Sequence, residues 1–135
     1  MSTAAAMSAM DASVKAFNEE FDRLKKDLLV KQVATLQKKL VYAAVASLTF
    51  KTPVDTGLAR ANWQTSVGQP AAGVVSKDSD PIMAAAVAMS NPPPFTVAYI
   101  SNNVEYIVYL EDGHSQQAPN GMVALTMQEL RMMLP

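Results

Sequence analysis

The strongest constraint on the fold is a long helical pattern that a proline must end. Residues 12–51 carry apolar side chains at helical spacing, and Pro53 disfavours helical geometry at Thr52. One continuous helix over that range would be about 60 Å long at ~1.5 Å per residue. A compact domain of this length has a diameter of only about 37 Å. The helix therefore has to break, or to extend beyond its own domain toward a neighbour.

The apolar stripe of this helix changes face part-way along. Phe17, Phe21, Leu24 and Leu28 form one stripe, and a second stripe starts at Leu29 and runs toward Leu48. The step from Leu28 to Leu29 rotates the apolar face by roughly 100°. We expect a bend or break near Leu28-Leu29, with the first half of the helix contacting a neighbour.

The remaining chain predicts a single α+β domain over residues 13–135, preceded by a flexible or partner-ordered tail, residues 1–12. Trp63, Thr65 and Val67 alternate with polar residues, which is typical of a half-buried strand. The segment 95–100 is apolar on both faces and predicts a central strand covered on both sides. Together with the helices, these strands predict a small, mostly antiparallel sheet.

Helix signals occupy much of the second half of the chain. Asp80-Pro81 predicts a capped short helix, and a second short helix is expected to end at Gly113. Residues 122–134 predict a C-terminal helix that is apolar around much of its circumference. Such a helix usually packs against more than its own domain.

Composition and charge limit the function classes. The chain is 50% hydrophobic and 17% charged, so it should fold and still have apolar surface left for a partner. It has no Cys, which excludes disulfides and thiolate metal sites, and its net charge of −1 argues against non-specific nucleic-acid binding. No signal-peptide or membrane-span pattern is visible, so we expect synthesis in a cytoplasm.

The charges are unevenly distributed. Bases outnumber acids over residues 15–39, and acids outnumber bases after Thr52. A solvated helix face explains the basic excess. Alternatively, the subunit has one basic and one acidic end, and these ends of neighbouring copies meet head to tail in a ring.

The densest turn chemistry lies in residues 52–63, which we call the corner segment. Asp55 is expected to cap the backbone or form an Asx turn, and Gly57 permits a left-handed conformation. The segment predicts a corner between the long helix and the first strand. Its motif residues are Pro53, Asp55, Thr56, Gly57, Arg60, Asn62 and Trp63.

The corner segment also contains the tripeptide Asp55-Thr56-Gly57, which aspartic proteases use for catalysis. Such a protease pairs two of these loops so that the Asp residues share a proton. Here a long helix and Pro53 precede the tripeptide and no glycine-rich flap follows, so a turn is favoured. A dimeric protease remains the alternative.

No other group of residues predicts chemistry. His114 lacks enough neighbouring ligands for zinc, and Glu105, Glu111 and Asp112 are explained by an acidic helix end. The sequence predicts no catalytic, metal or cofactor-binding residue.

Two blocks of the chain resemble one protein family. The first is Thr52-Pro53-Val54-Asp55-Thr56-Gly57-x-x-Arg60-x-Asn62-Trp63. The second is Asn102-Asn103-x-x-Tyr106-Ile107-x-x-Leu110-Glu111-Asp112-Gly113-His114-Ser115-x-Gln117-Ala118-Pro119-x-Gly121-Met122-Val123. Both are similar to the motifs of minor tail proteins of tailed bacteriophages, namely tail-completion, tail-terminator or head–tail joining (neck) proteins. The chain departs from the pattern at Leu58, His114 and Gln116.

The resemblance implies a structural protein of the virion without catalysis or cofactors. Copies would form a ring, usually of six, at the head-proximal end of the tail, and would contact the tail-tube protein and the head connector. DNA would pass through the ring without specific binding. The interface candidates of the second block are Tyr106, Leu110, Glu111, Gly113, Gln117, Pro119, Gly121 and Met122. A DNA-packaging accessory protein is a further alternative, and it predicts steeply salt-dependent DNA binding.

Overall fold

The computed structural model describes residues 2–134 and has the expected α+β architecture. Its elements in chain order are α1 (Thr3–Lys51), α2 (Leu58–Ala61), β1 (Gln64–Val67), α3 (Pro81–Ala88), β2 (Ala98–Ser101), α4 (Ile107–Glu111) and α5 (Val123–Met133). A long N-terminal helix, a small antiparallel sheet, short helices and a C-terminal helix were all predicted. The chain divides into two compact units between Thr35 and Leu36.

Helix α1 is continuous through Leu28 and Leu29, so the break predicted there is absent. The stripe changes face, but α1 contains neither Gly nor Pro, the residues that most often interrupt a helix. Residues 3–12, part of the segment expected to be a flexible or partner-ordered tail, form the first turns of α1. This stretch is rich in Ala, the strongest helix former, and the Ser2 hydroxyl accepts a hydrogen bond from the Ala5 amide at 3.2 Å.

The two strands pair antiparallel, with Gln64 opposite Ser101 and Val67 opposite Ala98. Within residues 2–134 the sheet has only these two strands, so each is an edge strand and every strand residue is half-buried. The predicted central strand is therefore wrong. It begins at Ala98 instead of Phe95, and the Phe95 side chain is 67% exposed. An apolar run does not by itself distinguish a covered strand from an edge strand.

The core is built on the last turns of α1. Val41 and Val45 pack with Ala85 and Met89 of the α3 region, and Val67, Ala98 and Ile100 of the sheet lie against this cluster. One turn later, Leu48 packs with Trp63, Ala118 and Met122. The C-terminal end of α1 thus touches the sheet on one side and the corner segment on another.

Helix α3 begins as the sequence predicts. The Asp80 carboxylate accepts hydrogen bonds from the amides of Ile82 and Met83 at 3.0 and 3.2 Å, and Pro81 occupies the first helical position. These contacts satisfy two amides that have no partner within the helix.

Candidate functional site

The corner segment is held by a buried hydrogen bond between its two ends. The Thr52 hydroxyl donates to the Leu48 carbonyl at 2.6 Å and accepts from the Trp63 indole nitrogen at 2.7 Å. Thr52 is 1% exposed and Trp63 4% exposed. Because a buried indole N–H needs a partner, the hydroxyl of Thr52 determines how the Trp63 ring is oriented against the end of α1.

Arg60 closes the C-terminal end of α1. Its guanidinium donates to the carbonyls of Thr52 at 3.1 Å and Phe50 at 3.4 Å. The last carbonyls of a helix lack partners within the helix and carry partial negative charge. Arg60 is thus placed to satisfy these groups and to complement their charge.

Asn62 joins the corner segment to the loop after β1. It is fully buried, and its amide nitrogen donates to the carbonyls of Leu58 at 2.8 Å and Val75 at 3.0 Å. Its amide oxygen accepts from the Val75 backbone at 2.8 Å. Both polar atoms of a buried side chain are therefore satisfied, and residues 68–79 are attached to the corner at Val75.

Asp55 does not have the capping role expected from the sequence. Gly57, with φ 90°, occupies the N-cap position of α2, and the Leu58 amide is bonded to the Thr56 hydroxyl at 3.3 Å. Asp55 is exposed and makes no side-chain hydrogen bond to the described residues. Because Gly57 is the cap, Asp55 lies two residues too early to reach the first amides of the helix.

Alanine substitutions at Asp55 and Asp80 should therefore differ in effect. We expect Asp55→Ala to change the free energy of unfolding by less than about 0.5 kcal/mol, as is usual for an exposed site without partners. Asp80→Ala should lower it by about 1 kcal/mol, because the cap of α3 is lost. Urea unfolding of both variants provides the measurement, and equal losses would contradict the assignment of the cap.

The second block folds directly onto the corner segment. The Gln117 side chain accepts from the Val54 amide at 3.0 Å and donates to the Val54 carbonyl at 3.2 Å, so it pairs with both backbone groups of one residue. The Asn102 side chain donates to the Ala59 carbonyl at 2.8 Å. Met122 is fully buried in the cluster that contains Leu48 and Trp63.

Glu111 caps α5 from outside that helix. Its carboxylate accepts hydrogen bonds from the amides of Met122 and Val123, both at 2.8 Å, and of Ala124 at 3.1 Å. Partial burial raises the pKa of Glu111, but the three amides together outweigh it and hold the pKa below its usual value. The carboxylate is also well placed for the partial positive charge of the helix N-terminus.

The second block also contains two close backbone approaches at glycines with positive φ. A β-carbon at Gly121 would lie 2.7 Å from the Glu111 carbonyl oxygen and 2.8 Å from its carboxylate. A β-carbon at Gly113 would lie closer than 3.0 Å to the Pro119 carbonyl oxygen. Any side chain at either position would push these segments apart.

Glu111 should make part of the stability depend on pH. A carboxyl group whose pKa is lowered on folding stabilises the fold above its unfolded pKa, about 4.3, and this contribution is lost as the pH falls through the folded pKa. Glu111→Gln should cost about 1 kcal/mol at pH 7, and the difference from wild type should shrink toward pH 3. Urea unfolding across this range tests the expectation. A difference that is constant with pH would contradict it.

The two blocks together line an open groove of about 370 Å³. One wall is the corner segment from Pro53 to Ala59, and the other carries Tyr106, Tyr109 and Leu110 with Ser115 and Gln117. The Tyr109 ring stacks on the His114 ring with centroids 4.4 Å apart. Asp55 faces this groove from the same wall as Gly57, but no second carboxyl group lines it.

Four polar residues that the sequence did not single out connect α1 to α5. The Lys51 ammonium group lies 2.5 Å from the Glu129 carboxylate and 2.9 Å from the Ser47 hydroxyl. Ser47 in turn is 2.9 Å from the Thr126 hydroxyl. The hydrogen bond from Lys51, followed by that from Ser47, lowers the pKa of Glu129. These partners are distant in sequence, so no local pattern could identify them.

Comparisons with known proteins add no assignment. No protein-family model matches the chain, and neither the curated proteins nor the solved structures contain a match.

Within residues 2–134, no group of three or more His, Asp or Glu side chains is arranged to hold a metal ion. In the same part of the chain, no helix is both long enough and apolar enough to cross a membrane.

Proposed function

We propose that this protein is a structural component of a phage virion that assembles into a ring at the head-proximal end of the tail. In that position it would complete or terminate the tail tube, or join the tail to the head. The proposal combines the resemblance of the two sequence blocks with the surface of the folded chain. Catalysis plays no part in it.

The observation that carries the proposal is the amount of apolar surface left exposed on two helices. On α1 the exposed side chains include Phe17, Phe21, Leu24 and Leu28, and on α5 they include Met127, Met132 and Met133. Exposed apolar side chains grouped in this way are typical of protein–protein contact surfaces. A subunit that is covered by copies of itself and by adjoining rings would bury them.

The arrangement of the two blocks also supports the proposal. They meet through Gln117, Asn102 and Met122 and form one connected unit around the end of α1. Their polar side chains are largely used to hold backbone, as at Arg60, Asn62 and Glu111, and this is expected of a scaffold. Asp55 lies in a turn between two helices, which gives no support to an aspartic protease.

The test is the mass of the purified protein in solution. We expect native mass spectrometry and light scattering to show a closed ring of several copies, six being the number implied by the resemblance. If the protein alone is monomeric, the ring should form on mixing with the tail-tube or connector protein. A strict monomer under all of these conditions would contradict the proposal.

The two possible positions of the ring can be separated by imaging particles from a phage that lacks this gene. Overlong tails would indicate a terminator of the tube. Normal tails lying free beside full heads would indicate a joining protein. Particles with normal, attached tails would contradict both positions.

A further inference from the structure

The first half of α1 carries seven exposed apolar side chains at alternating spacings of three and four residues. They are Met7, Met10, Val14, Phe17, Phe21, Leu24 and Leu28, and each is 52–68% exposed. The intervening positions are polar or small, so the apolar stripe is narrow. The Phe17 and Phe21 rings stack with centroids 6.2 Å apart along this stripe.

This spacing averages 3.5 residues, which is the period of a coiled coil. Met7, Val14 and Phe21 take the a positions and Met10, Phe17 and Leu24 the d positions of three complete heptads, and Leu28 is the a position that follows them. The pattern ends after Leu28, because Lys31 and Thr35 occupy the next d and a positions. We call the seven residues the heptad seam.

We propose that the heptad seam forms a parallel, in-register coiled coil with a second copy of this chain. The charges beside the seam favour this occupant and this direction. Glu20 lies at a g position and Lys25 at the following e position, and these positions of two parallel chains face each other across the interface. In a symmetric pair, Glu20 of each copy therefore meets Lys25 of the other. In an antiparallel pair, g faces g and e faces e, so the two charges do not meet.

The contacts within one chain are compatible with this pairing. Glu20 forms an ion pair with Arg23, and Lys25 lies 3.8 Å from Asp22 and 5.4 Å from the centre of the Phe21 ring. All four charged side chains are largely exposed, so they are free to gain partners from a second copy. Such exposed pairs mainly select the partner and the orientation, while the apolar seam supplies the affinity.

The inference rests on the proposed function in one respect. Three heptads make a short coiled coil, and copies already held together elsewhere would raise the effective concentration of the seams. The coiled coil is a separate contact from the ones that would close the ring. A negative result for the coiled coil would therefore not contradict the ring.

The orientation can be tested with single cysteines, because the full chain has none of its own. Met10→Cys and Leu24→Cys, each alone, should give disulfide-linked dimers under mild oxidation. Glu19→Cys, on the outer face, is the control and should link at least about tenfold less. The two seam positions are about 21 Å apart along a helix, so an antiparallel pair could link at most one of them. Linkage at only one, or at neither in a protein that is oligomeric by mass, would overturn the coiled coil and leave the ring. Absence of linkage in a protein that is monomeric by mass would overturn the coiled coil, and it would overturn the ring as well if the mass stays monomeric after mixing with the tail-tube or connector protein.

Charge reversal tests the pairing in the Met10→Cys background. Glu20→Lys should lower the linked fraction about fivefold, because two attractive contacts become repulsive. Adding Lys25→Glu to that variant should restore it. Glu19→Lys makes the same charge change on the outer face and should leave the linked fraction unchanged. An equal loss with Glu19→Lys, or no recovery in the double variant, would overturn the pairing.

Discussion

Replacing Trp63 with alanine is expected to lower the free energy of unfolding by about 3–5 kcal/mol, the range for truncating a large buried aromatic side chain. Trp63 is 4% exposed and packs against Leu48, Ala118 and Met122. A domain of this size has a total stability of only about 5–15 kcal/mol. The variant should therefore be marginally folded. Urea unfolding, monitored by the circular dichroism of the tyrosines, measures the loss in free energy of unfolding without using the indole signal.

Phe50→Ala is the matched control for that experiment. Phe50 lies next to the end of α1 but is 84% exposed, so its truncation should change stability by less than about 0.5 kcal/mol. Trp63→Phe isolates the hydrogen bond to Thr52 from the packing of the ring. If Trp63→Phe and Thr52→Val are each destabilising and their effects are not additive, the two groups act as a pair. A loss at Trp63→Ala no larger than at Phe50→Ala would contradict the packed corner.

The elements that the sequence predicted correctly are those with local signals. Pro53 ends α1 at Lys51, Asp80-Pro81 begins α3, and alternation marks the start of β1. Each signal acts within a few residues, because it concerns one backbone dihedral or one capping group. Contacts with distant parts of the chain therefore have little influence on where these elements begin and end.

The path of α1 differs from the expectation that the size of a compact domain suggests. The diameter of a compact domain suggested that α1 should break near Leu28-Leu29, yet the helix contains no residue that would break it. Residues 3–12 belong to the segment that the sequence predicts as a flexible or partner-ordered tail, and their Ala content favours the helix that the structure has there. For α1, local helix propensity is therefore a better guide than the diameter of a compact domain.

The candidate site could be located from the sequence, but its contacts could not. Gln117 pairs with Val54, and Glu111 caps α5, across separations that no periodicity encodes. Glu111 was interpreted as an ordinary acidic helix end, and Asp55 as a cap. The structure shows Glu111 as the cap, because Gly121 permits the backbone to approach its carboxylate.

The second large effect is expected at Gly113, with Gly57 as its matched control. Both have a positive φ, 84° at Gly113 and 90° at Gly57, so an alanine at either pays a similar conformational penalty of about 1–2 kcal/mol. At Gly57 no atom of the described residues, apart from the glycine and its two chain neighbours, lies within 4 Å of the added β-carbon. At Gly113 it would meet the Pro119 carbonyl oxygen, a backbone atom that cannot rotate away. Gly113→Ala should therefore lose roughly 1–3 kcal/mol more than Gly57→Ala.

The extra loss of stability in Gly113→Ala should be accompanied by a loss of packing near Trp63, which the same variants can reveal. Moving Pro119 displaces Ala118, which is buried beside Trp63 and Leu48, so the damage should spread into the corner. Amide exchange should then increase near Trp63 in Gly113→Ala and stay close to wild type in Gly57→Ala, because lost packing lowers local stability. Urea unfolding gives the energies and amide exchange gives their location. Equal losses at the two glycines would mean that the Gly113–Pro119 approach is not tight, and that only the left-handed backbone requires glycine there.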